Sequence, residues 1–497
     1  MTARNRILVL VAALALAGSA TLISLQAQAP AAQQPPPKEA VVLKGKAPVS
    51  TEVLQVKLPR PQEADLANGI HLMVLEDRRA PQITMQLIIP GAGGYYDPPD
   101  HAGLAQFTAA QMREGTGAKT SEQISTELER IAANLTVGAG LSSQDATVFG
   151  SCLTEHFGIV LDLTADVLLN PSFPDAELAR YKTQQRAQLV QLRSNPAFLA
   201  AERFSQVVYG DHPAARIMPS AASLEKTTRD ALVTFHKAHY APDFAILAIA
   251  GDITMADARK QVEARLGAWK KTGLAKPAVV DPKPIEKPGV YLVTRPNSVQ
   301  TDLAVGTQAI SRTSPDFYTL TVLNKVIGGG PTGRLFVHLR EEKGYTYGAY
   351  SNLAAGAYRG AWQASTQVRT EVTRPALTDL LDEIRQMRDV RVPDKEFLDN
   401  KRSIVAGFAL ELESAQSVLG NHITRYRYGL PADYWDKYPE RIMAVTQDEV
   451  IAAGRKYLDP SRLQIVAVGN ADAIREFLST LGTLEVYDTD GKKVGGQ

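Results

Sequence analysis

Residues 239–252 read His-Tyr-Ala-Pro-Asp-Phe-Ala-Ile-Leu-Ala-Ile-Ala-Gly-Asp, a proline-containing turn followed by an apolar run that ends in Gly-Asp. The same order returns at residues 457–470, which read Tyr-Leu-Asp-Pro-Ser-Arg-Leu-Gln-Ile-Val-Ala-Val-Gly-Asn. Pro242 and Pro460 are 218 positions apart. Self-similarity at one fixed spacing is the signature of a repeated structural unit. The chain is therefore predicted to contain two homologous domains.

The spacing also holds at the start of each half, because Gln82 and Gln300 are 218 positions apart and each precedes an apolar run. In the first half, residues 70–75 and 83–89 are apolar and bounded by turn residues, which predicts strands. Helical segments are predicted at 121–133, with Ser121 as the expected cap and Glu122 in the first turn, and at 155–169, where apolar residues recur at helical spacing. A further helical stretch follows at 175–193. This order predicts an α+β fold in each half, with helices packed on one face of a sheet.

Two proline-rich stretches divide the chain. Residues 30–50 are rich in Pro, Ala and Gln and are predicted to be an extended tether, and residues 272–289 contain four prolines and are predicted to be a linker. The expected folded parts are an N-terminal domain over 51–271, a C-terminal domain over 290–485 and a tail over 486–497.

The composition excludes several classes of protein. With 54 Lys and Arg against 53 Asp and Glu, the chain has no excess charge to attract nucleic acid or an anionic membrane. Cys152 is the only cysteine, which rules out an intrachain disulfide and a thiolate zinc cluster. Its neighbours are mostly apolar, so we expect a buried, unreactive thiol.

The N-terminus has the pattern of a secretory signal, because Arg4 and Arg6 precede the apolar run 7–17 and several small residues. We expect a signal peptide over residues 1–29 and a periplasmic or secreted protein. Three small residues are candidate cleavage positions: Ala20, Ala27 and Ala29. An uncleaved membrane anchor over residues 7–25 is the alternative, since that stretch is just long enough to span a bilayer.

Short motifs in a fixed order connect the two repeats to a known family. They are Leu66-Ala-Asn-Gly-Ile70, Gly103-Leu-Ala105, Glu114-Gly-Thr116, Leu169-Asn-Pro-Ser-Phe173, Phe235 followed by Tyr240 and Pro242, and Gly251-Asp252. In this order and spacing the chain resembles the pitrilysin/insulinase family of inverzincin-type zinc peptidases. The resemblance implies two domains of the mitochondrial-processing-peptidase-like (LuxS/metallohydrolase-like) fold.

In that family, Gly-Leu-Ala opens into a helix that carries His-x-x-Glu-His. The two imidazoles bind zinc and the glutamate takes a proton from zinc-bound water. In this chain the corresponding positions are Gln106, Ala109 and Ala110. Alanine offers neither a lone pair for a metal nor a base for water, so the resemblance implies a degenerate zinc site.

The family's third zinc ligand is a glutamate on a later helix, in a window that centres here on Ala187 and Gln188. No Asp or Glu occurs from residue 178 to 201, so shifting the alignment does not supply a ligand. An improvised site from His101, His212 and Gln106 would hold only two imidazoles, and we expect these histidines to be solvated loop residues. The chain itself is predicted to bind no metal and no cofactor.

One functional feature of the family is intact in the second half. Residues 334–347 read Arg-Leu-Phe-Val-His-Leu-Arg-Glu-Glu-Lys-Gly-Tyr-Thr-Tyr and resemble the family's Arg and Tyr pair, at Arg340 and Tyr347. We expect Arg340 in the last turn of a helix, Gly344 as the helix stop and Tyr347 on the next strand. The resemblance implies that the pair contacts substrate, where it can hydrogen-bond a peptide carbonyl and stabilise an oxyanion. A solvated helix end is the alternative.

Two functions follow from these observations. In the first, the chain is a non-catalytic subunit that contributes Arg340 and Tyr347 to a peptidase chamber shared with a sister chain. That partner would carry His-x-x-Glu-His and zinc, and the substrate would be a peptide or an unfolded protein. In the second, the chain is a stand-alone peptide-binding or scaffold protein of the cell envelope without peptidase activity. Retention of the Arg and Tyr pair favours the first.

Overall fold

A computed structural model describes residues 55–273 and 275–496. The predicted signal peptide, the alternative anchor over residues 7–25 and the tether lie outside these residues. In the described part of the chain, no helix is both long and apolar enough to cross a bilayer.

The strands of the described residues form two mixed sheets, one in each half. The order of the first is β1-β2-β6-β3-β5-β4, and that of the second is β13-β12-β7-β11-β8-β10-β9. Their bounds are β1 Gln62–Asp65, β2 His71–Glu76, β3 Gln82–Pro90, β4 Asn134–Ala139, β5 Asp145–Leu153, β6 Ile246–Gly251, β7 Gly289–Thr294, β8 Gln300–Gln308, β9 Thr346–Leu353, β10 Ala361–Arg369, β11 Gln464–Gly469, β12 Leu484–Tyr487 and β13 Lys493–Gly496.

Helices connect these strands in both halves. Those of the first half are α1 Leu104–Met112, α2 Ser121–Arg130, α3 Phe157–Leu169, α4 Asp175–Arg193, α5 Pro196–Tyr209, α6 Ala221–Lys226, α7 Arg229–His239 and α8 Met255–Leu266. Those of the second half are α9 Phe317–Ile327, α10 Arg334–Phe336 with the π-helix Val337–Glu342 directly after it, α11 Thr373–Asp389, α12 Asp394–Glu411, α13 Ala415–Arg427, α14 Tyr438–Ala444, α15 Gln447–Tyr457 and α16 Ala471–Ser479.

The repeat in the sequence is a repeat of structure. Three strands of the first half have a counterpart in the second half that begins and ends 218 positions later. The corresponding strands are β2 and β7, β3 and β8, and β6 and β11. Strand β2 pairs in parallel with β6, and β7 pairs in parallel with β11. Strand β3 pairs antiparallel with β6, and β8 pairs antiparallel with β11. A parallel pair needs a long crossover connection, which the helices between β3 and β6 supply in the first half. The prediction of two homologous α+β domains is confirmed.

Helices pack on one face of each sheet, as predicted, and the opposite face is buried as well. On β2, Leu72 and Val74 pack into a core built from the first half alone. The alternate residues Met73 and Leu75 belong to a second core that consists mainly of residues of the second half. Because successive side chains of a strand point to opposite faces, both faces of this sheet are buried.

The two halves cover these second faces by exchanging one helix each. Helix α13 of the second half packs on β6 of the first sheet, and α5 of the first half packs on β8 and β11 of the second. On α5, Phe204 and Val208 form a cluster with Ala304 of β8 and Val466 of β11. The exchange is the main apolar contact that joins the two halves.

Glycine makes room for this packing on β8. A Cβ atom added to Gly306 would lie 2.8 Å from the Phe204 ring and 2.1 Å from the carbonyl oxygen of Trp362. No side chain fits there, so Gly306 allows Phe204 to lie directly on the strand.

Local signals set most element boundaries. The helix predicted over 175–193 is α4, and the strands predicted over 70–75 and 83–89 are β2 and β3 to within one residue at each end. The cap of α2 is Thr120 and not Ser121, because the Thr120 hydroxyl accepts from the Gln123 amide while the Gln123 side chain accepts from the Thr120 amide. This reciprocal capping box fixes the helix start one residue earlier than predicted.

The prediction of a tail from residue 486 is also wrong. Strand β12 continues to Tyr487 beside β7, and β13 pairs with β12. Arg203 of α5 lies over the Tyr487 ring at 3.5 Å and donates to the Gly491 carbonyl at 3.0 Å. The cation–π contact and the backbone bond hold this hairpin against the exchanged helix.

Substituting Phe204 with alanine is expected to destabilise the protein by about 3–5 kcal/mol, the usual cost of removing a buried phenylalanine from a core. The measurement is urea-induced unfolding followed by tryptophan fluorescence. Val190→Ala, at a side chain that is 73% exposed, is the control and is expected to change stability by less than about 0.5 kcal/mol. Equal stability of the two variants would show that α5 does not support the second sheet.

Candidate functional site

A buried carboxylate fixes the start of α1, the helix that corresponds to the family's zinc helix. Asp97 accepts from the Gly103 amide at 2.7 Å and from the Ala105 amide at 2.9 Å. Gly103 has φ +99°, a conformation that suits glycine. Burial raises the pKa of Asp97 to about 6, although the amide hydrogen bonds oppose this. The motif Gly103-Leu-Ala105 is therefore the helix start that the sequence predicted.

On α1, the three positions of the degenerate motif have different surroundings. Ala109 is completely buried, whereas Gln106 and Ala110 are partly exposed. Residues four apart lie on one helical face, so Gln106 and Ala110 share it. The Gln106 Oε1 atom is buried and has no hydrogen-bond partner in the described residues.

Helix α4 packs beside α1 and carries the position expected for the third ligand. The rings of Phe107 on α1 and Tyr181 on α4 meet edge to face with centroids 4.9 Å apart. Gln188 lies seven residues, about two helical turns, beyond Tyr181, and is exposed. Its Oε1 atom accepts from Gln185 Nε2 at 3.2 Å. The position predicted for the third ligand therefore holds an amide that is bonded to a second amide.

The two histidines of the improvised site are held by separate groups. His101 is half-buried, with Nε2 3.0 Å from the Thr227 hydroxyl. His212 is 8% exposed, with Nε2 3.0 Å from the Val280 carbonyl of the linker and Nδ1 accepting from the Ala214 amide. Burial lowers the pKa of both. The expectation of solvated loop histidines is wrong for His212, because the linker folds over it.

The side chains present do not fit a zinc ion. Among residues 55–273 and 275–496 no three His, Cys, Asp or Glu side chains are grouped so that they could hold a metal. Cys152 is buried, as predicted, and burial raises its pKa to about 11, so it is a neutral thiol. Amides and alanines at the former ligand positions are poor donors for zinc, which prefers imidazole, thiolate and carboxylate.

Arg340 lies on an irregular helix in the second half. Helix α10 continues as the π-helix Val337–Glu342, and Gly344, with φ +62°, follows its end. The Arg340 guanidinium lies over the Phe336 ring at 4.7 Å and 3.2 Å from Glu341, and its side chain is 44% exposed. The placement of Arg340 in the last helical turn before Gly344 agrees with the prediction, but the helix is wider there than an α-helix.

One hydrogen-bonded pair and one ion pair fasten this irregular helix to its neighbours. His338 Nδ1 is 2.9 Å from Glu383 Oε1 of α11. Arg334 bonds both carboxylate oxygens of Glu396 on α12, at 2.7 and 3.1 Å. Sequence reasoning missed these supports, since the residues of each pair are far apart in the chain. They hold the backbone that presents Arg340.

Tyr347 lies at a β-bulge on β9, the edge strand of the second sheet. Ala349 pairs with Thr366 and Thr346 with Val368, so β9 has one extra residue between these pairs. The Gly348 amide donates to the Thr346 hydroxyl at 3.0 Å, which stabilises the bulge. The Tyr347 side chain is 90% exposed. Bulges re-aim side chains and are common beside active sites.

The structure brings Arg340 and Tyr347 to adjacent elements at the surface. The π-helix packs against β9, but in the described residues no hydrogen bond or ring contact joins the two side chains. Gln106 and Gln188 lie in the other half, on α1 and α4. The chain therefore presents an exposed cation and phenol in one half, and amides and alanines at the predicted ligand positions in the other.

This scaffold, with two repeated sheets and an early helix without metal ligands, defines a peptidase-like protein whose own zinc motif is absent. Residues 72–219 match the insulinase family (peptidase family M16), and residues 226–404 match the peptidase M16 inactive domain. Together these segments make up more than half of the chain. The chain belongs to the M16 peptidase family.

Relatives and solved structures agree with this assignment. The uncharacterized zinc protease YmxG of Bacillus subtilis (strain 168) is 25% identical over 367 residues, which cover 71% of this chain and 85% of that protein. A crystal structure of a peptidase M16 inactive domain from Pseudomonas fluorescens has a TM-score of 0.76 and 28% identity, covering 82% of this chain and 98% of that one. The crystal structure of a protease from Helicobacter pylori shares the fold, with a TM-score of 0.76 and 14% identity, covering 83% of this chain and 100% of that one.

The purified chain is expected to contain no stoichiometric zinc, because Gln106, Ala109, Ala110 and the carboxylate-free segment of α4 cannot supply three ligands. Elemental analysis after dialysis against zinc and then buffer is the measurement. One zinc per chain that only a strong chelator removes would contradict the degenerate site.

Restoring the motif with Gln106→His, Ala109→Glu and Ala110→His is expected to give no peptidase activity, since the third ligand is still absent. Adding Gln188→Glu is expected to tighten zinc binding relative to the triple variant, and Gln191→Glu, at a different position on α4, is the control. Zinc affinity by competition with a chromogenic chelator distinguishes them. Robust activity of the triple variant would refute the assignment of the third ligand.

Proposed function

We propose that this chain is a non-catalytic subunit of an M16-type metallopeptidase. It contributes Arg340 and Tyr347 to a chamber that it shares with a partner chain, and the partner carries His-x-x-Glu-His and zinc. The observation that carries the proposal is the exposure of both side chains on two irregular elements, beside a first half whose motif positions hold no metal ligands.

The irregular elements support a functional role for this surface. π-Helical turns and β-bulges disturb regular hydrogen bonding and are frequent at functional sites. Here both occur within eleven residues, from Val337 to Tyr347. The pairs His338 with Glu383 and Arg334 with Glu396 offset the cost of this geometry.

The chemistry of the pair suits a peptide substrate. A guanidinium donates charge-assisted hydrogen bonds to a carbonyl oxygen, and a phenol adds one more donor. When water attacks the peptide bond in the partner's zinc site, donors aimed at the carbonyl oxygen stabilise the negative charge that forms there. The substrate class in this proposal is a peptide or an unfolded protein.

The predicted signal peptide places this complex in the periplasm or outside the cell, with N-terminal anchoring as the alternative. The partner would be exported as well, because the shared chamber requires both chains in one compartment.

A stand-alone peptide-binding protein is the second candidate, and the edges of the sheets favour it. Strands β4 and β9 are edge strands, and exposed edges accept extended peptides by strand addition. On the edge strand β9, the Tyr347 side chain is 90% exposed, so this end of the edge faces solvent. Such binding needs no zinc and no partner.

Arg340→Ala and Tyr347→Phe are expected to lower turnover of a model peptide by the complex with its zinc-bearing partner by roughly 100-fold, the usual cost of one oxyanion donor. Complex of verified stoichiometry and zinc content is assayed at steady state. Tyr347→Phe is the cleaner change because it deletes one hydroxyl and keeps the ring.

Matched controls separate this role from a structural one. Arg385→Ala, at an exposed arginine of α11 paired only with Asp382, and Tyr350→Phe, three residues along β9, are expected to keep full turnover. A merely structural Arg340 would instead reduce yield of the complex or its thermal midpoint, with activity per intact complex unchanged. Full turnover in both test variants would favour the stand-alone peptide-binding protein.

A further inference from the structure

A cleft of about 500 Å³ lies between the two halves. We call it the junction cleft. It is lined by strand ends of the first sheet, including Asp145 and Ile246, by the linker at Lys276 and Pro277, and by the C-terminal end of α13. None of Gln106, Gln188, Arg340 and Tyr347 lines it. Its volume lies in the range of small-molecule sites, which often lie between domains.

Four aromatic side chains line the junction cleft. Phe244 is 46% exposed and Tyr426 is 40% exposed, and Tyr96 and Tyr428 complete the set. The Tyr426 ring stacks on His71 with centroids 3.9 Å apart and planes at 12°, so one face of this ring is fixed. A rigid aromatic ring that is half exposed is a ready surface for a second ring.

The backbone at Phe244 is strained where it enters the cleft. Its φ is +64°, in the left-handed region that bulky residues rarely adopt. Strained residues cluster at sites that bind ligands, because the surrounding structure must hold them. On the opposite segment, Pro277 of the linker packs on Gly91, where an added Cβ atom would lie 2.8 Å from the proline ring. The linker is thereby held at the cleft.

The charged residues of the lining favour an anion. They are Asp145, Lys276 and Arg427. Asp145 is 8% exposed, and its Oδ2 atom accepts from Arg427 Nη2, so these two charges offset each other. A guanidinium has five N–H donors, so Arg427 keeps donors for a further acceptor. Lys276 is exposed and forms no salt bridge within the described residues, which leaves a net positive charge of one.

We propose that the junction cleft binds an aromatic carboxylate. The ring packs against Phe244 and Tyr426, and the carboxylate accepts hydrogen bonds from Arg427 and Lys276. Such a group is supplied either by a small aromatic acid or by the C-terminal residue of a peptide. This site does not depend on the proposed peptidase subunit, so either proposal can fail alone.

The test uses the purified full chain and isothermal titration calorimetry with N-acetyl-L-phenylalanine and its amide. The amide keeps the ring and loses the charge. The carboxylate is expected to bind at least about tenfold more tightly, the usual effect of a charge-assisted hydrogen bond. Equal binding of the two compounds, or no binding of either at millimolar concentration, would overturn the proposal.

Two substitutions locate the site. Phe244→Gly removes the ring and suits the positive φ, so it is expected to abolish measurable binding without lowering the thermal midpoint. Lys276→Ala is expected to weaken binding at least about fivefold through loss of a charged donor. Lys260→Ala, at an exposed lysine of α8 outside the cleft, is the control. Unchanged binding in both test variants would refute the location.

Two further titrations identify the source of the carboxylate. Tight binding of phenylacetate assigns the site to small aromatic acids. Binding of a hexapeptide with a free C-terminal phenylalanine, without binding of phenylacetate, assigns it to peptide ends. Preferential binding of phenethylamine would show that the aromatic rings select a cation and would contradict the proposal.

Discussion

The structure depends on one packing constraint, the burial of both faces of each central sheet by helices that the halves exchange. On β2 and β6 apolar residues occupy consecutive positions, so each strand has a hydrophobic side chain on either face. Helix α13 covers the second face of the first sheet and α5 covers that of the second. Since hydrophobic burial is the dominant favourable contribution to folding, neither sheet is stable in isolation with one face in water. The exchange also brings the end of α13, with Tyr426 and Arg427, to the first sheet, where the junction cleft forms.

The backbone around Arg340 and Tyr347 is irregular, and side chains of neighbouring helices hold it in place. The π-helix and the β-bulge each insert a residue, and each turns a side chain toward solvent. Their hydrogen bonds and ion pairs come from α11, α12 and the hydroxyl of Thr346. The second half thus has an irregular, supported surface at Arg340 and Tyr347, whereas helix α1 of the first half is regular and has no metal ligands.

The sequence predicts those features that are carried by local pattern or by fixed spacing. The repeat of 218 residues predicts two domains, and apolar runs bounded by turn residues predict β2 and β3 to within one residue at each end. The motif positions Gln106, Ala109 and Ala110 follow from the Gly-Leu-Ala helix start, which Asp97 and Gly103 fix as expected.

Local sequence patterns do not predict features that depend on contacts between residues far apart in the chain. The exchange of α5 and α13 is not predicted, because the apolar residues of α5 show that it packs on a sheet but not on which sheet. The burial of His212 depends on the linker, 68 residues away. The support of the π-helix depends on Glu383 of α11, which bonds His338 and lies 45 residues further along the chain. The width of a π-turn has no signature in hydrophobic spacing. Smaller errors arise where two neighbouring residues can both cap a helix, as Thr120 and Ser121 can at the start of α2.

The exchanged helices also set the order in which a growing chain can complete its cores. The apolar face of the first sheet formed by Met73, Leu75, Ile88 and Ala248 packs in a core with residues of the second half. Its covering helix, α13, begins only at Ala415, after most of the chain has been synthesised. At ordinary rates of synthesis, tens of seconds pass between the synthesis of this face and that of α13. The first half therefore cannot finish folding as it emerges from the ribosome. A nascent chain of this design therefore keeps an apolar sheet face exposed until α13 has been made.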